Sequence, residues 1–589
     1  MPGFRWFSLA HLSLTLVGLM WVLPFLYYYH AYPITTFYHE WGAAILGLSA
    51  GVFLLSKQHW VQPEVPRIVL LPIGLMILVL LQYLLGKLAY FDQALLFTLY
   101  MLWVVLLMML GRALRVHFGL HTMAMVLAIF LLLGAELSAL VGVLQHFHLH
   151  TIFDSVVTAK LNITVYGNLA QPNHYANYIT LGLISLGLLR PHLRAWHRVL
   201  LALPLLYVLV LSGSRSTWLY FMSMAVMAYL WQRKDKSYKY LWHYTLLLMA
   251  GFGLMHGLAQ LPLLTGSTGN VTVMQRMMAG DTHGSIRLYL WHEAWLIFAQ
   301  FPLLGAGWGQ FSWQHFQMGP ALQTPYINGL YNNAHNLVMQ LAAEMGLAGV
   351  LVLLSTVGLW LWQGVRASHT LAHWWGYSVL AVMGLHSMLE YPLWYAYFIG
   401  IAAFLLGALD NSTFKLELKK IGRLLVASVL MLGLVTLLQL QYAYQDLEKA
   451  ISSHPRLGEN KTPTQQMHDG LMAVYDLPIL QPYVALYMNR FIEISSEELE
   501  KKLALNETAM RFVPISNVVY LRAALLAQNE KLDDAKIQIE RAIWAYPADY
   551  TAKRLELAAL AQKDPVRFAA LLEFANQKYE EYISAVSTK

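Results

Sequence analysis

Residues 337–362 read LVMQLAAEMGLAGVLVLLSTVGLWLW, an almost uninterrupted apolar run in which Glu344 is the one charged residue. A helix of ~20 apolar residues crosses the hydrocarbon core of a bilayer, so this segment predicts a membrane span. Inside lipid the backbone must satisfy its own hydrogen bonds, which a helix does. Similar runs recur along the chain as far as residue 442. The sequence therefore predicts an all-α, polytopic helical membrane protein.

The composition agrees with this class. Hydrophobic residues make up 58% of the 589 residues, the mean hydropathy is +0.48, and charged residues make up only 12%. A soluble domain has about 45–50% apolar and about 25% charged residues. The net charge of +7 comes largely from short loops between spans, where it sets topology, so it does not indicate nucleic acid. The absence of cysteine excludes thiolate catalysis, disulfides and Cys-ligated metals.

We predict about thirteen spans. The first apolar run continues to about Tyr28 without a small-residue cleavage site, so we expect it to be retained as a span rather than removed as a signal peptide. The predicted spans are 8–28, 41–56, 67–86, 92–111, 121–145, 173–189, 199–212, 216–232, 241–260, 336–362, 373–390, 391–409 and 422–442.

The distribution of lysine and arginine tests this topology. With a cytoplasmic N-terminus, the inner segments of the membrane part hold 17 of these residues and the outer segments hold 5. Such a bias is the positive-inside signal. The outer cations do not set topology and need another role; they are Lys87, Lys160, Arg215, Arg276 and Arg287.

The predicted topology gives two domains. Residues 1–442 form a transmembrane catalytic domain, which includes a large outer loop at 261–335. Within that loop, residues 284–300 predict an amphipathic helix at the membrane interface. Residues 443–589 have the composition of a soluble helical domain and fall on the same outer side. Its segment at 521–562 resembles a TPR-like helix-turn-helix repeat, and a helical domain without true repeats is the alternative.

Polar residues gather at the start of two predicted spans on the outer side. The segment YGNLAQPNHYAN (166–177) carries the side chains of Asn168, Gln171, Asn173 and His174. Amides both donate and accept hydrogen bonds, as sugar hydroxyls do, so this cluster suits a polyhydroxylated ligand. The alternative is an ordinary helix start, for which Pro172 is well suited.

The segment YNNAHN (331–336) precedes the run quoted above and contains Asn333, His335 and Asn336. A histidine at this position is more often structural than catalytic. The segment is therefore either an interfacial collar or the place where His335 faces a reaction. The two asparagines either orient the histidine or cap the helix that follows.

Three further residues could take part in binding or catalysis. Arg215 and Arg287 carry guanidinium groups, which bind phosphate through paired hydrogen bonds, so together they could hold a pyrophosphate without a metal. Each could instead extend to lipid headgroups. Glu390 lies in HSMLEYPLWYAYF (386–398), at an outer turn, where an acidic group normally has a partner.

Competing motifs are absent from the sequence. It contains no GxxxxGK[ST], HExxH or GxSxG motif and no acidic DxD cluster on the outer side, so neither ATP hydrolysis nor a metal or other cofactor is predicted. The spans also lack the charged track that proton-coupled transporters use.

Three segments carry a resemblance to a known family. GNLAQPNH (167–174), NNAHNLVMQLAAEMGLAG (332–349) and EYPLWYAYF (390–398) together resemble the bacterial protein O-oligosaccharyltransferases of the pilin-glycosylating type. These enzymes form part of the O-antigen ligase/polymerase superfamily. The resemblance covers roughly residues 120–410, and the soluble tail resembles a domain often attached to this group.

The resemblance implies a metal-independent, en bloc transfer of an oligosaccharide from undecaprenyl pyrophosphate to Ser or Thr of a periplasmic acceptor such as a pilin. It implies that His335 is the essential histidine and that Arg215 and Arg287 bind phosphate. It also implies functional roles for Gln171 and for Tyr391, with Tyr395 and Tyr397 as near alternatives. The expected supporting residues are Asn168, Asn173, His174, Asn333, Asn336 and Glu390.

The implied location is the bacterial inner membrane, with the active site and the C-terminal domain facing the periplasm. The expected partners are the lipid-linked donor, the acceptor protein and membrane lipids, without nucleic acid. Two alternatives keep the chemistry and change the acceptor: an O-antigen ligase acting on lipid A core, and an O-antigen polymerase. A lipid-glycan transporter is a more distant alternative.

Overall fold

Most of the part of the chain that the computed structural model describes is helical, which confirms the predicted all-α class. Two short strands, β1 (Glu64–Pro66) and β2 (Thr413–Lys415), pair antiparallel with Val65 opposite Phe414. The described residues are 8–60, 63–160, 163–265, 282–324, 328–366, 369–415, 419–452, 462–475 and 479–587. The predicted outer cation Arg276 lies outside them.

The helices up to residue 260 are α1 (Leu9–Met20), α2 (Leu23–Leu26), α3 (Phe37–Gly51), α4 (Leu70–Leu84), α5 (Phe91–Phe118), α6 (Leu120–Phe147), α7 (Pro172–Leu189), α8 (Ala195–Ser212), α9 (Ser216–Lys234) and α10 (Lys239–Leu258). The later helices are α11 (Thr282–Gln300), α12 (Phe311–Leu322), α13 (Leu337–Arg366), α14 (Leu371–Ser387), α15 (Ala396–Leu409), α16 (Lys419–Ile451), α17 (Pro463–Ala473), α18 (Gln481–Met488), α19 (Leu499–Phe512), α20 (Ser516–Gln528), α21 (Leu532–Ala545), α22 (Tyr550–Lys563) and α23 (Pro565–Ser587).

Several of these helices can cross a membrane, so the chain is a multi-pass membrane protein. Each of the predicted spans falls on a helix, and the count of thirteen crossings stays a prediction because several of these helices are shorter or less apolar. Among the described residues, the 7 segments that are long and apolar enough are Leu9–Leu26, Arg67–Leu84, Phe91–Phe118, Leu120–Phe147, Ala195–Ser212, Leu337–Arg366 and Lys419–Ile451.

The chain divides into two compact units that do not follow chain order. The first unit comprises Met1–Gly74, Leu99–Thr282 and Val352–Leu438. The second unit comprises Leu75–Thr98, His283–Leu351 and Gln439–Lys589. The predicted domain boundary after residue 442 stays a prediction.

Helix α7 lies at the centre of the first unit and is buried on all sides from His174 to Leu189. Its tyrosines are fixed by hydrogen bonds to main-chain carbonyls: Tyr175 donates to Ser138 (3.0 Å) and Tyr178 donates to Trp21 (2.8 Å). The two phenol groups occupy space that Gly134 and Gly142 of α6 leave open. Small residues allow helices to approach closely in membranes. The start of α7, where the candidate amides lie, therefore has a fixed position in this unit.

The second unit contains a break in α13 that the sequence does not predict. Gly346 has φ 65° and ψ −161°, which interrupts the predicted span at 336–362. The chain at 302–307 pairs with the interrupted helix, because Ala306 donates to the carbonyl of Ala343 (2.9 Å) and Leu347 donates to the carbonyl of Pro302 (2.8 Å). The carbonyls and amides that the break releases thus find partners, as buried backbone groups must.

Two other parts of the second unit bear on the sequence predictions. Helix α11 covers the segment predicted to be amphipathic, and its interfacial location stays a prediction. Helices α20 and α21 form the predicted helix-turn-helix, and Pro547 follows the second helix. Their buried residues join those of α22 and α23 in one core, which also includes Phe316 of α12. Whether the pair is a true repeat stays a prediction.

Candidate active site

The candidate residues fall into two groups, one in each unit. The first unit holds Asn168, Gln171, Asn173, His174, Arg215, Glu390 and Tyr391. The second unit holds Arg287, Asn333, His335 and Asn336.

Asn173 joins three segments of the first unit. Its Nδ2 donates to Glu390 Oε1 at 2.8 Å, and its Oδ1 accepts from Ser214 Oγ at 2.8 Å. Glu390 lies in the turn after α14, and Ser214 lies in the loop between α8 and α9. Ser214 and Glu390 are both buried. A buried acidic group thus has the partner that the sequence led us to expect.

Arg215 takes its position from this network. It follows Ser214 directly and stands at the N-terminal cap of α9, with a side chain of intermediate exposure. The preceding Gly213 has φ 63°, which ends α8 in a left-handed cap that glycine adopts without strain. Ser214 is a residue that the sequence analysis missed. The signal for it was the short polar run SGSRS between two apolar helices.

Gln171 and Asn168 form hydrogen bonds that stabilise the main chain around the start of α7. Gln171 caps α7, because its Oε1 accepts from the main-chain N–H of His174 at 2.5 Å. Asn168 uses its whole carboxamide: Oδ1 accepts from the N–H of Thr158 (2.9 Å), and Nδ2 donates to the carbonyls of Leu26 (2.7 Å) and Val156 (2.9 Å). This places Asn168 among the supporting residues of the predicted set.

His174 contacts the tyrosines of the 390–398 segment. Its ring lies edge-on to Tyr391 at 5.9 Å and to Tyr395 at 5.2 Å between ring centroids. It also lies 5.2 Å from the ring of His386, whose Nδ1 is 2.7 Å from Tyr220 Oη. Tyr391 and Tyr395 therefore belong to this cluster, and Tyr397, the third candidate, packs against Tyr395 with ring centroids 5.4 Å apart. The choice among the three tyrosines stays a prediction. His386 and Tyr220 are further members that the sequence did not indicate.

His335 of the second unit stands in an uncommon backbone conformation. Its φ is 53°, in the left-handed region, where a non-glycine residue needs support from its surroundings. Asn333 gives part of that support, because its Oδ1 accepts from the main-chain N–H of His335 at 2.7 Å. Asn336 caps α13 by accepting from the N–H groups of Val338 and Met339, each at 3.1 Å. Of the two roles left open for the asparagines, Asn333 therefore supports the histidine and Asn336 caps the helix that follows.

Gln340, in the first turn of α13, hydrogen-bonds to the main chain of the same loop. The sequence analysis did not predict this role. Its Oε1 accepts from the main-chain N–H of Ala334 at 2.6 Å, and its Nε2 donates to the carbonyl of Asn332 at 3.4 Å. The side chain is only 1% exposed, so it depends on these main-chain partners and on the neighbouring Glu344 for its hydrogen bonds. Asn336, Gln340 and Glu344 recur at four-residue spacing in an otherwise apolar helix, and that pattern was the available signal.

Helix α11 brings Arg287 into the same part of the second unit. Ile286 and Leu290 on either side of it pack in an apolar cluster with Ala334, the neighbour of His335. Beside this cluster lies a buried pair, in which His315 Nδ1 is 2.8 Å from Glu293 Oε2. Burial raises the pKa of Tyr331, and the Glu293 carboxylate adds to the effect. The phenol at the start of YNNAHN is therefore protonated at neutral pH.

No metal-binding cluster of three or more His, Asp or Glu residues occurs within the described part of the chain. Metal independence stays a prediction.

Comparisons with known proteins match the three segments on which the resemblance rests. A model described as "Protein glycosylation ligase" matches residues 165–189, one described as "O-Antigen ligase" matches 200–354, and one described as "Virulence factor membrane-bound polymerase, C-terminal" matches 374–559. The chain is also 27% identical over 564 residues to a general O-oligosaccharyltransferase of Acinetobacter baylyi (strain ATCC 33305 / BD413 / ADP1), an alignment that covers 94% of this chain and 95% of the relative. These matches confirm the resemblance of the chain to the protein O-oligosaccharyltransferases of the O-antigen ligase superfamily and support an oligosaccharyltransferase activity.

Proposed function

We propose that this protein transfers an oligosaccharide en bloc from undecaprenyl pyrophosphate to Ser or Thr hydroxyls of acceptor proteins, pilin-like proteins among them. The observation that carries the proposal is the arrangement around His335, a strained residue that Asn333 and Gln340 hold at the start of α13. Strained backbone that the surroundings enforce is concentrated at functional sites. The relative from Acinetobacter baylyi, which aligns over 94% of this chain, supports the reaction class.

In the proposed mechanism the acceptor hydroxyl attacks C1 of the first sugar. His335 takes the proton of that hydroxyl, which is the work of a general base. The bond between C1 and the pyrophosphate oxygen breaks, and undecaprenyl pyrophosphate leaves with the electron pair. Arg215 and Arg287 bind the diphosphate and stabilise the negative charge that develops on it. No metal takes part.

Amide and phenol groups would position the substrates. Asn173, His174 and Tyr391 lie in one connected cluster in the first unit, which suits contacts to the first sugar. Holding donor and hydroxyl in the correct orientation supplies much of the rate enhancement in a transfer of this kind. A single displacement inverts the configuration at C1. Comparison of the anomeric linkage in donor and product tests this step, and retention would rule it out.

We also propose the bacterial inner membrane as the location, with the catalytic face and residues 443–589 in the periplasm. The 17 to 5 distribution of lysine and arginine supports this orientation. Because the chain has no cysteine, single cysteines can report it directly. Glu580→Cys should react in intact spheroplasts with a membrane-impermeant maleimide, and Lys236→Cys should react only after lysis. The opposite labelling pattern would show that the catalytic face and residues 443–589 lie in the cytoplasm.

The central experiment is a transfer assay in cells that supply a lipid-linked glycan and a pilin-like acceptor. The wild type should add the glycan to the acceptor, and His335→Ala should abolish transfer while still inserting in the membrane. His192→Ala, at an exposed histidine in the turn after α7, is the matched control and should transfer normally. Full transfer by His335→Ala would refute the assignment of the base. Glycan on lipid A core, with none on protein, would favour the ligase alternative instead.

A further inference from the structure

Four tyrosines form a closed cluster at the beginning of the first unit. Tyr27, Tyr28 and Tyr29 follow α2, and Tyr38 lies in the first turn of α3. Successive ring centroids are 5.6 Å apart for Tyr27 and Tyr28, 6.5 Å for Tyr28 and Tyr29, 5.5 Å for Tyr29 and Tyr38, and 5.9 Å for Tyr38 and Tyr27. We call these four residues the tyrosine cluster. Three of the side chains are about two-fifths exposed: 38% for Tyr27 and Tyr28, and 40% for Tyr29.

Hydrogen bonds fix the tyrosine cluster to the segment that carries the candidate amides. The imidazole of His30 lies between two main-chain carbonyls, with Nδ1 at 3.0 Å from the oxygen of Thr35 and Nε2 at 2.9 Å from the oxygen of Asn168, and a neutral ring donates to one of them. Asn168 donates in return to the carbonyl of Leu26 at 2.7 Å. Thr158 Oγ1 donates to the carbonyl of Tyr28 at 3.0 Å. The cluster is therefore held next to Asn168, five residues before Asn173, and not on a detached loop.

The chemistry of this surface suits uncharged sugars. Residues 26–39 contain no Asp, Glu, Lys or Arg, so the tyrosine cluster carries no permanent charge, and the imidazoles of His30 and His39 lie beside it. The faces of pyranose rings carry C–H groups that pack on aromatic rings, while phenol hydroxyls donate to and accept from sugar hydroxyls. Preformed aromatic surfaces bind at low entropic cost because little side-chain freedom is lost.

We propose that the tyrosine cluster binds sugars of the donor oligosaccharide beyond the first one, and so favours longer glycans. The inference rests on the proposed function. Tyrosines also occur in the aromatic belts of membrane proteins, where they contact headgroups. Belt residues contribute to insertion and stability whatever the length of the glycan. A sugar subsite instead contributes to donor binding only when the glycan is long enough to reach it.

The test compares two donors in the same purified enzyme: undecaprenyl pyrophosphate carrying the full glycan, and the same lipid carrying only the first sugar. The variant is Tyr28→Ala/Tyr29→Ala. Removing two rings that contact the distal sugars should raise the ratio of KM for the long donor to KM for the short donor by about tenfold, which corresponds to about 1.4 kcal/mol. Tyr229→Ala, at an exposed tyrosine of α9, is the control and should leave the ratio unchanged.

An unchanged ratio in the double variant would overturn the subsite and leave an aromatic belt. Where the double variant does not insert, Tyr28→Ala and Tyr29→Ala separately carry the test, each with an expected change in the ratio of about threefold. Failure of the proposed function would look different, because the wild type would then transfer neither donor to protein.

Discussion

The carboxamide of Asn173 donates a hydrogen bond to the carboxylate of Glu390 at 2.8 Å, across 217 positions of sequence. The same carboxamide accepts from Ser214, so Glu390 helps to fix the loop that carries Arg215. Glu390→Ala should therefore reduce transfer by about tenfold, because it leaves the half-buried amide of Asn173 without its acceptor and loosens the loop that carries Arg215.

The matched variant Glu390→Gln distinguishes a hydrogen-bonding role from a role of the charge. Glutamine keeps an acceptor oxygen for Asn173, so transfer should stay within about threefold of the wild type. Glycosylation of the acceptor, normalised to the amount of inserted enzyme, is the measurement. If Glu390→Gln is as inactive as Glu390→Ala, the carboxylate charge itself is needed.

Gln340 offers a second test, in the loop that carries His335. Gln340→Met keeps the volume and removes both hydrogen bonds to the loop at 332–334. We expect kcat to fall about tenfold to hundredfold, because small displacements of a catalytic group are costly, while KM for the donor changes little. Gln577→Met, on an exposed face of α23, is the control. An equal rise in KM without a loss of kcat would show that Gln340 serves donor binding instead.

The sequence predicted well which segments are helical in residues 1–442, because an apolar run of sufficient length is a local property. It also indicated that the segments at 166–177 and 331–336 hold candidate site residues, since polar residues at the start of an apolar helix stand out. It did not predict Ser214 or Gln340 as members of the candidate site. Their hydrogen bonds depend on partners that only folding brings near, as the separation of Asn173 from Glu390 illustrates.

The break at Gly346 was unpredictable for the same reason. Within LAAEMGLAGV a glycine is an ordinary member of a membrane helix, and nothing local indicates a left-handed conformation. The conformation is stabilised by the chain at 302–307, about forty residues earlier, which supplies the missing hydrogen-bonding partners. The capping role of Asn336, by contrast, was one of the alternatives that the sequence allowed, because a cap is decided within a few residues.

Substitution of Gly346 or Gly305 should be strongly destabilising. Both residues have positive φ, 65° and 68°, and a Cβ at either position would overlap main-chain atoms of the opposite segment, near Leu303 and Glu344 respectively. A non-glycine residue in the left-handed region costs about 1–3 kcal/mol, and the overlap adds to this. Gly346→Ala and Gly305→Ala should each lower the Tm in detergent and the yield of transfer.

The control for these glycines lies further along α13. A Cβ at Gly358 would meet nothing within 4 Å, and the residue has ordinary helical geometry. Gly358→Ala should change stability by no more than about 1 kcal/mol, in the stabilising direction if at all. A Tm for Gly346→Ala equal to that of Gly358→Ala would contradict the proposed role of the break.

The buried pair of Glu293 and His315 should show strong coupling. Both side chains are nearly inaccessible, at 3% and 7% exposure, and they lie 2.8 Å apart. Removing one partner leaves a buried polar group unpaired, and breaking such a pair costs about 3–5 kcal/mol. Glu293→Leu and His315→Phe should therefore each lower the Tm markedly, whereas the double variant should recover a large part of the loss because no unpaired group remains. Strictly additive losses would mean that the two residues act independently. Because Tyr331 packs against His315 with ring centroids 5.4 Å apart, the single variants should also reduce transfer through the loop that leads to His335.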